Sequence, residues 1–132
     1  MSETESKIMI QEYSKNPVNN FKMESPDITQ HEGNFICGDD ITVYLKIKDK
    51  KVSEFSFDNC STITTAASLL AEIITDQDIE KIAKRNYKTL QEKGFEVSRR
   101  RKNAAIIALL ATINGIYKYE KEKTIDFDDL TE

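Results

Sequence analysis

Between Ile41 and Ile47 the chain alternates: Ile41, Val43, Leu45 and Ile47 are apolar, and the positions between them are polar in character. A period of two marks a half-buried strand. Phe55 and Phe57 continue the alternation, and Asp49–Lys50 is placed for a tight turn, so residues 40–58 predict a β-hairpin. Val52 falls out of phase with the two phenylalanines, which leaves the register of the second strand open. After Cys60 the period lengthens. Ile63, Ala66, Ala67, Leu70, Ile73 and Ile74 mark one helical face, and Ile79, Ile82, Ala83, Asn86 and Leu90 repeat the pattern, with Gly94 as a stop. A last helix is expected from about Arg99 to Tyr119; it is apolar from Ala104 to Ala111, which predicts the most buried helix.

The remaining segments are less periodic. "SKIMIQEYSKN" reads as a short amphipathic helix ending before Pro17. From Asn16 to Asn34 the chain holds both prolines and many Asn, Asp and Ser residues, the signature of extended loop. The acidic tail "TIDFDDLTE" (124–132), like residues 1–4, is expected to fray. Strands first and helices later imply an α+β fold: a small antiparallel sheet of about three strands, helices packed on one face, an N-terminal helix and C-terminal helices. Residues 1–132 read as a single domain, large enough to bury a core without staples.

Composition narrows the function classes. A net charge of −4 gives no general attraction for nucleic acid. No apolar run approaches the roughly 20 residues of a membrane span; the longest is Ala104 to Ala111. "MSETESK" lacks a basic-then-apolar leader, so a cytoplasmic location is expected, where two cysteines stay reduced.

Those two cysteines carry the candidate chemistry. Cys37 and Asp39 flank a glycine just before the first strand, and Cys60 falls where the second strand gives way to a helix. A helix start favours thiolate, the metal-binding form of cysteine. In a hairpin the start of one strand lies beside the end of the next, so Cys37 and Cys60 can approach. Asp39 then adds an oxygen to two sulfurs, a set suited to zinc or iron. Ordinary packing also accounts for either thiol, since cysteine is among the most buried residue types. Asp39 can equally serve as a turn or cap residue. Asp40 reads as solvent-facing, and His31 as an exposed loop residue rather than a ligand.

"NPVNNFKMESPD", "GNFICGDD" and "FSFDNCSTITTAAS" together resemble the NifU/IscU-type iron–sulfur cluster assembly scaffolds. That family is similar in its G-x-x-x-C-G-D motif, in a second cysteine after a strand and in an A/S-rich helix, and the match runs in order from about Asn16 to Tyr119. The resemblance implies the same α+β fold, no enzymatic role, and Cys37, Asp39 and Cys60 as three of the metal- or cluster-binding positions. It implies an iron–sulfur cluster, of the 2Fe–2S kind, or zinc as cargo. A cysteine desulfurase and cluster acceptor proteins are the implied partners. The family's third cysteine opens the final helix; here "RRRKNAAI" puts Asn103 in that position. An amide oxygen is a poor partner to thiolates on iron or zinc, and it cannot carry a persulfide. The L-P-P-V-K segment by which some members recruit a chaperone has no counterpart in "GFEVSRRRK".

Three functions fit these residues. The first is a scaffold-like protein that binds metal or a labile cluster through Cys37, Asp39 and Cys60, with an outside ligand such as water, a small thiol or a partner's cysteine. The second is a degenerate paralogue that binds and regulates the desulfurase without a cluster, and the third is a sulfur carrier. "SRRRK" at 98–102 reads either as a solvated helix start or as a docking patch for an acidic surface.

Overall fold

The computed structural model describes residues 8, 10–13, 15–16, 18–34, 39–58 and 63–131. Three antiparallel strands, β1 (Ile28–Asn34), β2 (Asp39–Lys48) and β3 (Lys51–Asp58), form a sheet in the order β1-β2-β3. Helices α1 (Thr64–Ile74), α2 (Ile79–Ile82), α3 (Lys88–Gln91), α4 (Lys102–Tyr119) and α5 (Phe127–Thr131) follow, with a 3-10 turn at Arg99–Arg101 leading into α4. Residues 8, 10–13 and 15 are helical, as expected ahead of Pro17.

The hairpin turns where the alternation breaks. Asp49 and Lys50 both have positive φ (52° and 61°), the mark of a two-residue type I′ turn. The out-of-phase Val52 has a simple cause. Ile47 pairs with Val52 but Lys46 pairs with Glu54, so Ser53 is an extra residue. This bulge returns Val52 to the face of Phe55 and Phe57, and all three are buried.

Helix α4 lies across β1 and β2, with α1 and α5 beside it. Every residue from Ala104 to Ile116 is buried, which explains its lack of a polar face. At Gly115 the helix comes so close to the sheet that an added Cβ would lie 2.7 Å from Ile28 Cγ2 and 3.2 Å from Gln30 Cβ. Gly115→Ala is therefore expected to destabilise the protein by about 1–2 kcal/mol, because overpacking outweighs the better helix propensity of alanine. Urea denaturation checks this; unchanged stability would mean that the contact relaxes freely.

Three expectations need correction. Residues 28–34, expected as loop, form β1. Its inward face reads Ile28, Gln30, Glu32, too polar for a strand signal, and it is satisfied by bonds to its neighbours: Gln30 Nε2 donates to Glu32 Oε2 (2.7 Å), as does Asn114 Nδ2 (2.9 Å). The single helix expected over Ile79–Leu90 is two short ones. The Asn86 side chain accepts from the N–H of Lys88 and starts α3 anew, while the Tyr87 N–H is given to the Leu130 carbonyl. Finally, the C-terminal segment does not fray as a whole. Asn114 receives the Ile125 N–H and donates to its carbonyl, and Leu130, 3% exposed, packs into the core through α5.

The sheet's second face is covered by chain rather than by helix. Asn20 bridges to Phe57 on the free edge of β3, and the Asp27 N–H bonds to Leu45, so the intervening segment crosses from one edge towards the other. It carries Met23, which is buried outside the helix-side core, as is Tyr44 of the opposite sheet face.

Candidate metal site at the end of the sheet

Of the three candidate ligands, Asp39 is described, at one end of the sheet. β2 opens at Asp39, opposite Asn34, and β3 closes at Asp58, opposite Thr42. Helix α4 fixes which helix end lies there. Its C-terminal Tyr119 lines a cavity of about 350 Å³ with Ile47, Asp49 and Lys50 at the hairpin turn. Running back from Tyr119 at ~1.5 Å per residue carries Asn103 roughly 24 Å toward the opposite end, where β2 begins. By this rise Asn103 lies on the part of α4 remote from the hairpin turn.

Asp39 has the parity of Ile41, Val43 and Leu45, so its side chain belongs to the helix-facing side. It is 6% exposed and makes no side-chain hydrogen bond or ion pair among the described residues. A carboxylate removed from water without a partner is costly, and a cation is the natural relief. Asp40, one residue on, is half-buried on the other face rather than fully solvent-facing. Cys37 and Cys60 lie outside the described residues. Among the described residues no three His, Cys, Asp or Glu side chains are grouped to hold a metal ion. His31 is exposed and lies opposite Thr42, its Nδ1 3.1 Å from Thr42 Oγ1, on the side of the sheet away from Asp39.

Two features of this end were not anticipated from the sequence. Asn19, in the left-handed region at φ 64°, docks on the edge of β3: its Nδ2 donates to the Phe55 carbonyl (2.8 Å), and its own carbonyl accepts from Phe57 (2.9 Å). The Asn-rich stretch therefore blunts an edge strand next to the site. On the outer face, Tyr44 Oη donates to Asp58 Oδ1 at 2.7 Å and so ties down the last residue of β3. The signal for this pair was its spacing, since residues two apart on one strand share a face and reach diagonally across to the next.

Burial, then the hydrogen bond to Asp58 and its negative charge, push the Tyr44 hydroxyl up to about 12 from an ordinary value of 10.0. A raised folded-state value favours the neutral phenol, so this stabilisation is complete below pH ~10 and is lost as pH rises toward 12. Tyr13, raised by burial and by Glu72, contributes in the same direction. Tyr44→Phe should therefore cost about 1 kcal/mol at neutral pH and flatten the fall in stability above pH ~10 relative to the parent. Parallel urea titrations at several pH values check it; identical alkaline slopes would show that Tyr44 does not titrate as described.

The basic run lies at the start of α4. Arg99, Arg100 and Arg101 are exposed and have no hydrogen-bonded or ion-paired side-chain partner among the described residues. Lys102 is different. Its Nζ sits 5.0 Å from the centre of the Tyr87 ring, and the Tyr87 hydroxyl accepts from the Val97 N–H (3.2 Å). Asn103 follows, half-buried, and no acidic residue occupies the first turn of α4.

Comparison with known proteins bears on this arrangement. The family model for the NifU-like N terminal domain matches residues 4–126. The chain belongs to that family. Iron-sulfur cluster assembly scaffold protein IscU 1 of Archaeoglobus fulgidus is 31% identical over 75 residues, covering 55% of this chain and 49% of the relative. The scaffold protein IscU of Thermotoga maritima is 33% identical over 63 residues, 46% of this chain and 44% of its own. The chain thus spans about half the length of the curated relatives it matches. A crystal structure of a nitrogen-fixing NifU-like protein (N-terminal) from Brucella abortus superposes with a TM-score of 0.68 at 19% identity, covering 92% of this chain and all of that one. That likeness establishes the NifU-like fold, including a three-stranded antiparallel sheet with helices. Among the described residues, no helix is long and apolar enough to cross a membrane.

Proposed function

We propose that this protein is an iron–sulfur cluster assembly scaffold that holds iron, zinc or a labile cluster through Cys37, Asp39 and Cys60, with one position left open. The observation that carries this reading is the buried Asp39 at the sheet end, without a side-chain partner among the described residues. Cys37 lies two residues before Asp39, and Cys60 two residues after Asp58, which ends the neighbouring strand. Two residues of chain reach at most about 7 Å, so both thiols are tethered to the end that buries the carboxylate. Two thiolates and one carboxylate suit zinc or iron better than magnesium or calcium. The open position suits a cargo that must leave. A cysteine desulfurase would supply the sulfur, and acceptor proteins would receive the cluster.

The test is anaerobic iron–sulfide reconstitution of the parent and of Cys37→Ser, Cys60→Ser and Asp39→Ala. The parent should take up iron and acid-labile sulfide, and either serine variant should lose most of both. Equal uptake in the parent and the cysteine variants would overturn the assignment. One observation favours a second reading. By the resemblance Asn103 stands where the family has its third cysteine, and a chain without that cysteine could bind the desulfurase and regulate it without a cluster. A parent that binds desulfurase but takes up neither metal nor sulfide would establish that reading.

A further inference from the structure

We propose that a cavity beside α1 binds a small zwitterion of the α-amino acid class, its carboxylate held by Arg85 and its ammonium group by Glu72 and Glu92. This pocket uses none of the residues of the metal-site reading and stands or falls apart from it. The cavity measures about 300 Å³, at the small end of the roughly 300–1,000 Å³ range of ligand pockets, so its occupant is smaller than a drug-sized molecule. Helix α1 contributes Leu69 and Ile73, one turn apart on the same face, with Glu72 beside them. Gln77, Arg85 and Thr89 continue the lining, and Glu92 and Lys93 follow just after α3.

Arg85 sets the chemistry of the cavity. Its Nε and Nη2 both donate to Gln77 Oε1 (3.1 and 2.6 Å), and its Nη1 donates to Thr89 Oγ1 (3.3 Å). Gln77 is half-buried and Thr89 buried, so the guanidinium, itself half-buried, is fixed in place by packed side chains. Both acceptors are neutral, and no ion pair among the described residues offsets its charge. A guanidinium has five N–H groups, and these three bonds leave two, the number that a carboxylate takes. A partly buried cation without a counter-ion is costly, and a bound carboxylate relieves it. The other charges select among anions. Glu72 and Glu92 are exposed and form no ion pair among the described residues. They repel a phosphate or a dicarboxylate but attract an ammonium group. With Arg85 and Lys93, the lining carries two positive and two negative side chains, a balance that suits a ligand with one of each. Leu69 and Ile73 offer apolar contact, which favours an aliphatic amino acid.

L-Leucine is the probe. Nitrogen-15-labelled protein is titrated with it to about 10 mM while amide chemical shifts are followed. Parallel titrations use 4-methylpentanoate and 3-methylbutylamine, the same skeleton without the ammonium or without the carboxylate. The amides of Gln77, Thr89 and Lys93 should shift with leucine and saturate. Leucine should bind about tenfold more tightly than the amine, the scale of a charge-assisted hydrogen bond. Over the acid its advantage should be about threefold, the scale of an exposed ion pair. Arg85→Lys keeps the charge but loses the fork, so leucine should bind about tenfold more weakly while the amine binds as before. Glu72→Gln/Glu92→Gln changes two exposed side chains and should fold as the parent does, yet its preference for leucine over the acid should vanish. The proposal is overturned by the absence of saturating shifts, or by equal affinity for the three compounds. A leucine-over-acid preference that survives in the glutamine variant, or unchanged leucine affinity in folded Arg85→Lys, overturns it as well.

Discussion

Replacing Asn103 with cysteine is expected to raise zinc affinity about a hundredfold. A complete four-ligand zinc set contributes about 10–16 kcal/mol, so one added thiolate contributes on the order of 3 kcal/mol. Position 103 suits a thiolate: it lies in the first turn of an 18-residue helix, behind Arg99–Lys102, where N–H groups and cations both favour the ionised sulfur. Asn103 is half-buried rather than core, so the substitution leaves the packing of Ala104 and its successors alone. Metal that binds only the folded state stabilises it by mass action, about 2.7 kcal/mol at a hundred times Kd. The variant's melting temperature should therefore rise with added zinc more steeply than the parent's. A reconstituted cluster should also persist longer. Equal zinc affinity in parent and variant would remove position 103 from the metal's surroundings and favour the regulatory reading.

Asn114→Ala is expected to cost about 2–4 kcal/mol of folding stability, the largest loss anticipated for a single polar side chain. Asn114 is 2% exposed and serves three partners: it donates to Glu32 Oε2 (2.9 Å) and the Ile125 carbonyl (3.0 Å), and it accepts from the Ile125 N–H (2.8 Å). Alanine leaves Glu32 with Gln30 alone and strands both backbone groups of Ile125, and each group left unpaired in a part-buried place costs about 1–3 kcal/mol. The loss should also be directional. Backbone amides near Ile125, and the Tyr87 N–H that reaches the Leu130 carbonyl, should exchange faster than those of the β2–β3 hairpin. Hydrogen exchange of parent and variant reads this directly. Uniform protection in the variant would show that Asn114 does not clasp the C-terminal segment.

Asn114 also marks where the sequence stops being legible. The hairpin, α1 and α4 followed from apolar spacing, because their burial is local and periodic. The strand β1 did not, since its inward Glu32 is bonded by Gln30 beside it and by Asn114, 82 residues along the chain. The same residue anchors Ile125 and turns an acidic tail, which composition alone reads as loose, into a docked helix. Asn86 marks the break of one expected helix into two, its side chain accepting the Lys88 N–H that opens the second, a choice that apolar spacing does not encode. For the site, the parity of Asp39 with Ile41 and Val43 was present in the sequence and implied its burial. The bond from Tyr44 to Asp58 was not anticipated, because the tyrosine falls on the face taken as polar. The arginines were legible as a charge run, but their exposure is a property of the fold.

The joint holding of one metal by Cys37, Asp39 and Cys60 is tested most directly by X-ray absorption on protein loaded anaerobically with one equivalent of zinc. The expected first shell has two sulfurs at about 2.3 Å and lighter atoms at about 2.0–2.2 Å, one of them lost in Asp39→Ala. A shell with one sulfur or none, or one unchanged in Asp39→Ala, would contradict the assignment.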